Sequence, residues 1–357
     1  MDYSYEDLQN LQAQSVDFKL QHCINMIAKF YHNENGKCYL SYSGGKDSTV
    51  LKWIIHTKAA KLFPELLNIP VVYFDTGLEY PEVKQFVKSD NNIIIRKPEI
   101  NFFQCILKYG YPIISKEISQ CICEARVCPG GAQDIRMHGE YINPHNGKVQ
   151  FSHKKYLPLM ELPIMFSNKC CNYLKKKPAK QYEKETGNYA ITAEMAEESI
   201  LRARSWIGTG CNAYSSNGAK RPKSKPMSIF TEQDVLGLIF DNHIEIPSVY
   251  GDIALDDNNN YYCTGCDRTG CQWCTYGVHL EKGETRFQRL SKTHPRQYEY
   301  SIGGGQWINN PNYDTTKIGT DYWNPKQIWV PDKDGLGIGK MFDMVNEVMG
   351  RDFIRYN

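Results

Sequence analysis

The sequence has no long hydrophobic run, no leader-like N-terminus and no surplus of charge of either sign. No run approaches the roughly eighteen apolar residues of a membrane-spanning helix, so the sequence predicts no membrane contact. The first residues carry neither the basic nor the apolar part of a secretory signal, from which we expect a cytoplasmic protein. With 42 Lys and Arg against 40 Asp and Glu, the net charge of +2 provides no global field that would attract nucleic acid.

Cysteine is the abundant residue that needs an explanation. An odd count of 13 without a secretory signal argues against a disulfide framework and favours metal binding or thiol chemistry. Four cysteines stand alone and are expected to be buried like small hydrophobic residues: Cys23, Cys38, Cys105 and Cys211. The other nine form three groups: Cys121/Cys123/Cys128, Cys170/Cys171 and Cys263/Cys266/Cys271/Cys274.

Short β-branched and aromatic runs alternate with helical patterns in this chain of 357 residues. The alternation predicts an α/β fold, an open parallel sheet with helices on both faces. The first thirty residues are expected to form one helix, and the stretches 111–168 and 207–228 are expected to be irregular. We divide the chain into an α/β core (1–110 and 185–250), a cysteine-containing insertion (111–184), a cysteine cluster segment (251–290) and an irregular C-terminal extension (291–357) that ends in a short amphipathic helix.

A glycine turn joins the first predicted strand to the next helix, with the sequence Ser41-Tyr42-Ser43-Gly44-Gly45-Lys46-Asp47-Ser48. The two glycines let the backbone approach a ligand closely, and the helix start directs N–H groups at it. Two serines add hydroxyl donors, and Lys46 is expected to be an exposed charge aimed at the ligand. Leu40 and Asp47 stand where a Walker A loop needs glycine and serine or threonine. The segment therefore predicts a phosphate-binding loop of another kind.

This loop resembles the pyrophosphate loop of the PP-loop ATP pyrophosphatases, also called the adenine nucleotide alpha hydrolases. The resemblance implies a Rossmann-like fold that binds ATP or an adenylyl nucleotide with Mg²⁺. Asp75-Thr76-Gly77, after the second strand, also resembles that fold, and its carboxylate would lie beside the loop. Catalytic roles would belong to Lys46, Asp47 and Asp75. Nucleotide contacts would belong to Ser41, Ser43, Gly44, Gly45, Lys46, Asp47, Ser48, Asp75, Thr76, Gly77 and Arg202.

Within that superfamily, residues 20–280 resemble the phosphoadenosine phosphosulfate (PAPS) reductase branch. The resemblance is carried by Cys170-Cys171 with its basic-Pro segment, by Thr192 through Ser199 to Arg202, and by Gly270-Cys271-Gln272-Trp273-Cys274-Thr275. Glu194-Met195-Ala196 departs from the pattern, because the reductases place arginines there to hold the phosphosulfate. Only Arg202 and Arg204 remain of that anion grip. A second departure is that no cysteine follows Cys274, whereas the reductases use a cysteine near their C-terminus as nucleophile.

The spacing Cys263-x2-Cys266-x4-Cys271-x2-Cys274 brings four soft thiolates together. Such a density favours zinc or an iron–sulfur cluster over hard cations, and the spacing alone does not separate the two. The resemblance places a [4Fe–4S] cluster on Cys170, Cys171, Cys271 and Cys274, with zinc as the second choice. Cys263 and Cys266 have no counterpart in the reductase pattern, and they could replace the doublet as ligands.

Two further patterns leave their alternatives open. Between Ser199 and Thr231 there are six basic residues and no acidic one, which is either a solvated face or a site for phosphate or a nucleic-acid backbone. A nucleic-acid acceptor would contact this stretch at 202–225. The group Cys121/Cys123/Cys128 is either an ordinary set of cysteines or a redox or sulfur-carrying site beside Lys116, Arg126 and Arg136.

These features favour an enzyme that adenylates a substrate and then transfers sulfur to it, with a sulfur donor or thiol reductant as partner. A PAPS or adenylyl-sulfate reductase with an internal nucleophile is the second hypothesis. A non-catalytic nucleotide-binding protein with a structural iron–sulfur cluster or zinc is the third.

Overall fold

A computed structural model describes residues 3–150 and 152–357 of the chain. The chain forms two compact units. Unit 1 contains the residues up to Pro98 together with Lys177–Gly270, and unit 2 contains Glu99–Lys176 together with Cys271–Asn357. The insertion and the C-terminal extension therefore belong mostly to one unit, and the cysteine cluster segment is divided between the two.

The secondary structure consists of short strands and helices. The strands are β1 (Cys38–Tyr42), β2 (Val71–Phe74), β3 (Ile93–Arg96), β4 (Tyr189–Ile191), β5 (Asn212–Ala213), β6 (Lys223–Ser224), β7 (Ile253–Leu255), β8 (Tyr261–Cys263), β9 (Gln306–Asn309) and β10 (Gln327–Val330). The helices are α1 (Tyr5–Gln12), α2 (Val16–Asn33), α3 (Lys46–Trp53), α4 (Ala60–Leu62), α5 (Pro81–Lys88), α6 (Phe102–Tyr109), α7 (Lys116–Val127), α8 (Ala132–His138), α9 (Lys169–Cys171), α10 (Lys177–Thr186), α11 (Ile200–Thr209), α12 (Glu232–Asn242), α13 (Arg286–Thr293), α14 (Pro295–Ile302) and α15 (Ile338–Met349). No helix of the described residues is long and apolar enough to cross a membrane.

Unit 1 is built on a six-stranded sheet in the order β3-β2-β1-β4-β6-β5. Its strands are parallel except for β5, which runs antiparallel to β6. Alternate residues of β1 enter two separate hydrophobic clusters: Leu40 packs in the larger one with α2, α3 and α12, and Tyr39 packs in the smaller one against Tyr182 of α10. The predicted parallel sheet is confirmed except for the antiparallel strand β5. Helices pack on both of its faces, because successive side chains of a strand point to opposite faces.

Local capping explains where several helices begin. The first thirty residues form two helices rather than one, because the side chain of Ser15 caps α2 by accepting from the amide of Phe18. Thr231 caps α12, and Asp234 completes a capping box with it.

Unit 2 contains more regular structure than the sequence indicates. The stretch 111–168 was expected to be irregular, but α7 and α8 lie in it, with Ser115 capping α7. The C-terminal extension was also expected to be irregular, yet it contains α14, the antiparallel pair β9–β10 and α15. Met341, Phe342 and Val345 of α15 are buried, in agreement with the amphipathic helix predicted there. Glycine and proline in these stretches mark turns between elements, which composition alone does not separate from loops.

A buried arginine organises one irregular segment of unit 2. Arg126 of α7 donates hydrogen bonds to four backbone carbonyls, those of Leu159, Met160, Leu162 and Ile164, at 2.6–3.0 Å. Its guanidinium also lies 4.3 Å from the ring centre of Trp323. Burial lowers the pKa of Arg126 to about 9, although the nearby groups Cys123 and Glu161 oppose the fall.

We expect Arg126→Leu to destabilise the protein by more than about 3 kcal/mol, because it removes four charge-assisted hydrogen bonds to the backbone carbonyls of residues 159–164. Urea unfolding followed by circular dichroism measures the change. Arg126→Lys is the control: it keeps the charge but cannot reach all four oxygens, so we expect an intermediate loss. A Leu variant as stable as the wild type would show that the segment 159–164 does not depend on this side chain.

Candidate functional site

Three chain segments meet at the carboxyl edge of the sheet in unit 1. Strand β1 lies between β2 and β4 and is parallel to both, with Tyr42 opposite Tyr73 and Leu40 opposite Ile191. The loop after β1, Asp75 after β2 and Thr192 after β4 therefore leave the sheet at the same edge. The strand order reverses between β1 and β4, and open α/β sheets bind ligands at such a switch point. The sequence-predicted loop and Asp75 are thus brought together.

The turn between β1 and α3 is tightly built. Gly44 has φ +72°, and a Cβ there would lie 2.6 Å from Val87 Cγ2 and 2.8 Å from Val83 Cγ1, so no other residue fits. The hydroxyls of Ser43 and Ser48 are 2.9 Å apart, and the Gly45 amide donates to Ser43. Since α3 begins at residue 46, its first N–H groups point into this turn. Ser41 lies within β1, opposite Val72, rather than in the turn.

Lys46 is buried, contrary to the expectation of an exposed charge. Only 3% of the residue is exposed. Its ammonium donates to the carbonyl of Asp267 at 2.8 Å and pairs with the Glu232 carboxylate at 3.1 Å. Burial opposes the charge, but the carboxylates of Asp47 and Glu232 outweigh it and leave the pKa of Lys46 raised. Long-range packing brings these partners to the loop, so the sequence around the loop could not reveal them.

Asp47 provides an oxygen suited to a hard cation. Its Oδ1 atom is buried and accepts no hydrogen bond, and the nearest ammonium, that of Lys46, is 4.0 Å away. Burial raises the pKa of Asp47, although the charges of Lys46 and Arg268 oppose the rise. An unsatisfied buried carboxylate oxygen beside a phosphate loop fits the ligand preference of Mg²⁺.

Tyr250 was not identified from the sequence, although it touches the loop directly. Its hydroxyl accepts from the backbone N–H of Lys46 at 3.3 Å and lies 3.0 Å from the hydroxyl of Thr269. A Cβ on Gly45 would come within 3.0 Å of the same oxygen. A hydroxyl oxygen therefore occupies a position at the start of α3 that a phosphate oxygen would also favour.

Asp75 and Thr76 form a compact polar turn at the end of β2. The Asp75 carboxylate accepts from the amide of Gly77 at 3.0 Å and lies 4.0 Å from the ammonium of Lys84. Thr76 is buried, and its hydroxyl donates to Glu79 at 2.6 Å. The turn thus holds the Asp75 carboxylate at the edge of the sheet.

In the segment Glu194-Met195-Ala196 the two apolar residues are buried and the carboxylate forms an ion pair. Met195 and Ala196 are buried in the core of unit 1. The Glu194 carboxylate pairs with Lys223, so its charge is compensated. Arg202 lies on the first turn of α11 and pairs with Glu198.

Most of the basic stretch is engaged within unit 1. Arg221 donates two hydrogen bonds to the Glu183 carboxylate in a bidentate contact, at 2.6 and 2.7 Å. Lys225 is buried and donates to Ser205 Oγ at 3.0 Å. With Arg202 and Lys223 also paired, four of the six basic side chains have partners in the fold. A nucleic-acid acceptor stays a proposal.

Unit 2 gathers a second set of candidate residues. Its segment 111–114 bridges to Phe166 through Tyr111 and to Tyr276 through Ile114, both in parallel. Cys170 and Cys171 follow the first partner along the chain, and Cys274 precedes the second. Helix α6 packs against both cysteine-bearing segments, since Phe102 stacks on Trp273 with ring centres 6.3 Å apart, and Tyr109 stacks on Tyr173 at 4.7 Å.

The doublet cysteines interact with each other and with further thiols. A hydrogen bond between them raises the pKa of Cys170 and lowers that of Cys171. The nearby thiols of Cys274 and Cys105 add to the rise at Cys170. Burial and the Cys171 thiol raise the pKa of Cys105 to about 11. Cys105 lies on the same face of α6 as Phe102 and Tyr109, a placement for which the sequence carries no separate signal.

The other cysteines are placed differently. Cys263 and Cys266 belong to unit 1. Cys263 is buried, and the positive charge of Lys46 acts on its thiol. The Cys266 thiol donates a hydrogen bond to the carbonyl of Arg268 at 2.9 Å. Burial raises the pKa of Cys263 to about 11. Cys121 and Cys123 lie on α7, not in an irregular stretch, and burial raises both pKa values. Among residues 3–150 and 152–357, no three His, Cys, Asp or Glu side chains are grouped to hold a metal ion.

Comparison with known proteins gives partial similarities. No protein-family model matches the chain. It is 31% identical over 109 residues to an uncharacterized protein of Methanocaldococcus jannaschii, an alignment that covers 28% of this chain and 25% of that protein. The chain thus matches about a quarter of that relative's length. Among solved structures it is similar to phosphoadenylyl-sulfate (PAPS) reductase from Candida auris in a phosphate complex, with a TM-score of 0.36 and 14% identity, over 73% of this chain and 98% of that one.

Proposed function

We propose that the chain is a nucleotide-dependent enzyme of sulfur chemistry, which binds ATP or an adenylyl nucleotide in unit 1 and an iron–sulfur cluster in unit 2. The observation that carries the proposal is the glycine turn at the switch point of the sheet, where the start of α3, two serine hydroxyls and Lys46 converge. These are the groups that a polyphosphate needs: N–H donors, hydroxyls and a positive charge.

The proposed reaction begins with adenylation of a substrate oxygen. That oxygen attacks the α-phosphorus of ATP, the bond to the β-phosphate oxygen breaks, and pyrophosphate leaves. Lys46 and the loop amides stabilise the charge that develops on the leaving group. To do so, the Lys46 ammonium exchanges the carbonyl of Asp267 for a phosphate oxygen. Asp47 and Asp75 would hold Mg²⁺, directly or through its water ligands, and the ion would neutralise phosphate charge. A sulfur nucleophile from a donor then displaces AMP from the adenylated substrate.

Thiol chemistry supports the second part of the proposal. Cys170, Cys171 and Cys274 interact within unit 2, and the family resemblance adds Cys271 as the fourth ligand. Their soft sulfur donors fit an iron–sulfur cluster. When bound, such a cluster supplies electron transfer or a site for labile sulfur. The hydrogen bond with Cys170 lowers the pKa of Cys171 most, and the charges of Lys116, Lys175 and Lys176 lower it further, which favours a thiolate ready to bind iron.

An assay of the anaerobically purified full chain tests the proposal. We expect a brown protein that absorbs near ~400 nm and releases no sulfite from PAPS or adenylyl sulfate in the presence of a thiol. Without the acceptor, it should form AMP and pyrophosphate slowly from ATP, because water takes the place of the acceptor oxygen at the α-phosphorus. Sulfite release with thioredoxin as reductant would replace sulfur transfer by a reductase function. Nucleotide binding without any turnover would favour the non-catalytic hypothesis.

A further inference from the structure

Two arginines from distant parts of the sequence converge on one carboxylate in unit 1. Arg268 Nη2 lies 2.5 Å from Glu198 Oε1, and Arg202 contacts the other oxygen of the same carboxylate. The side chain of Glu198 is 14% exposed, whereas those of Arg202 and Arg268 are 40% and 63% exposed. Each guanidinium therefore binds the carboxylate and keeps an open side toward solvent.

This pair lies beside the phosphate loop. The carbonyl of Asp267, the residue before Arg268, accepts from the Lys46 ammonium at 2.8 Å. Both guanidiniums also act on Asp47 of the loop, since their positive charges counter the rise in its pKa that burial causes. The electrostatic fields of the arginine pair and of the loop thus overlap at one edge of the sheet.

Arg268 supplies a positive charge in place of the arginines that are missing at positions 194–196. Glu194-Met195-Ala196 stands where the reductase pattern places arginines ahead of Arg202. Arg268 reaches the same carboxylate from the turn after Cys266, a segment with no counterpart in the reductase pattern. Glu194 does not cancel this charge, because its carboxylate pairs with Lys223.

We infer that Arg202 and Arg268 form an oxyanion subsite for the anionic group that an adenylyl nucleotide carries beyond its α-phosphorus. The inference rests on the proposed nucleotide binding. The ligand group is a tetrahedral oxyanion, either a phosphate of ATP or the sulfate of an adenylyl sulfate, and guanidinium forks match the oxygens of both. In this structure the Glu198 carboxylate binds both guanidinium groups, and the oxyanion of the ligand takes its place on binding.

Calorimetric titration of the full chain with ATP, adenylyl sulfate and AMP tests this subsite. We expect Arg268→Gln and Arg202→Gln to weaken binding of ATP, adenylyl sulfate or both by about ten- to a hundredfold, as the loss of a charge-assisted contact does, and to leave AMP unchanged. Arg221→Gln, which also removes an arginine that pairs with a glutamate in unit 1, is the matched control and should bind all three like the wild type. Glu198→Gln should tighten binding, because a neutral amide competes less well for the two guanidiniums.

The ligand arms separate the outcomes. Loss confined to ATP identifies a phosphate subsite, and loss confined to adenylyl sulfate identifies a sulfate subsite. If Arg268→Gln binds like Arg221→Gln, or weakens AMP as much as the longer ligands, the subsite is refuted and nucleotide binding stands. If the folded wild type binds none of the three nucleotides, the proposed function itself fails.

Discussion

Replacement of Lys46 by alanine should lower nucleotide affinity at least about tenfold and abolish turnover, because the ammonium is the positive charge held at the start of α3. It should also lower stability by about 1–3 kcal/mol, since a buried ammonium leaves its contacts with Glu232 and the Asp267 carbonyl. The loss stays moderate because the Glu232 side chain is 49% exposed and can be rehydrated. ATP titration and thermal unfolding measure the two effects.

Lys52→Ala provides the matched control for this prediction. Lys52 lies on the same helix and pairs with Asp90, so its loss also removes one ion pair of α3. We expect it to keep the wild-type affinity for ATP. Unchanged affinity and turnover in Lys46→Ala would remove the phosphate-loop assignment, and unchanged stability would contradict the buried ion pair.

Serine in place of Cys274 or Cys170 should remove most of the iron and the absorbance near ~400 nm from the anaerobically purified protein. Serine keeps the size of the side chain but replaces the soft sulfur donor by a hard oxygen. The variants should also unfold at lower temperature, because a group that binds only the folded chain stabilises it by linkage. Iron analysis, the absorption spectrum and thermal unfolding provide three independent measurements.

Cys121→Ser is the control within unit 2. Cys121 is buried and its thiol donates to Gln133, so the variant should keep its iron. Cys263→Ser and Cys266→Ser should likewise retain most of the iron, since both residues belong to unit 1. If these two variants lost the chromophore while Cys170→Ser kept it, the compact set of four cysteines would be the ligand set, and the assignment by resemblance would be wrong.

Local sequence determined the parts of this protein that depend on neighbouring residues. The strand predicted ahead of the glycine turn is β1, and the contacts of Thr231 with Asp234, three residues away, cap the start of α12. The glycines after the first strand predicted a turn there, and the structure has this turn at the edge of the sheet. Periodicity, capping and turn chemistry each act over a few residues, so they can be recognised without a partner segment.

Tertiary structure alone decided which distant groups meet these local features. From its motif alone, Lys46 was expected to be an exposed charge. In the fold, α12 brings Glu232 to it and the segment before Gly270 brings the carbonyl of Asp267. Cys105 reads as a lone buried cysteine until α6 packs beside the doublet. Arg268 reads as a loop residue until it meets Arg202 at Glu198. Burial and electrostatic contacts of this kind depend on residues far apart in the chain, and only the packed fold brings those residues together.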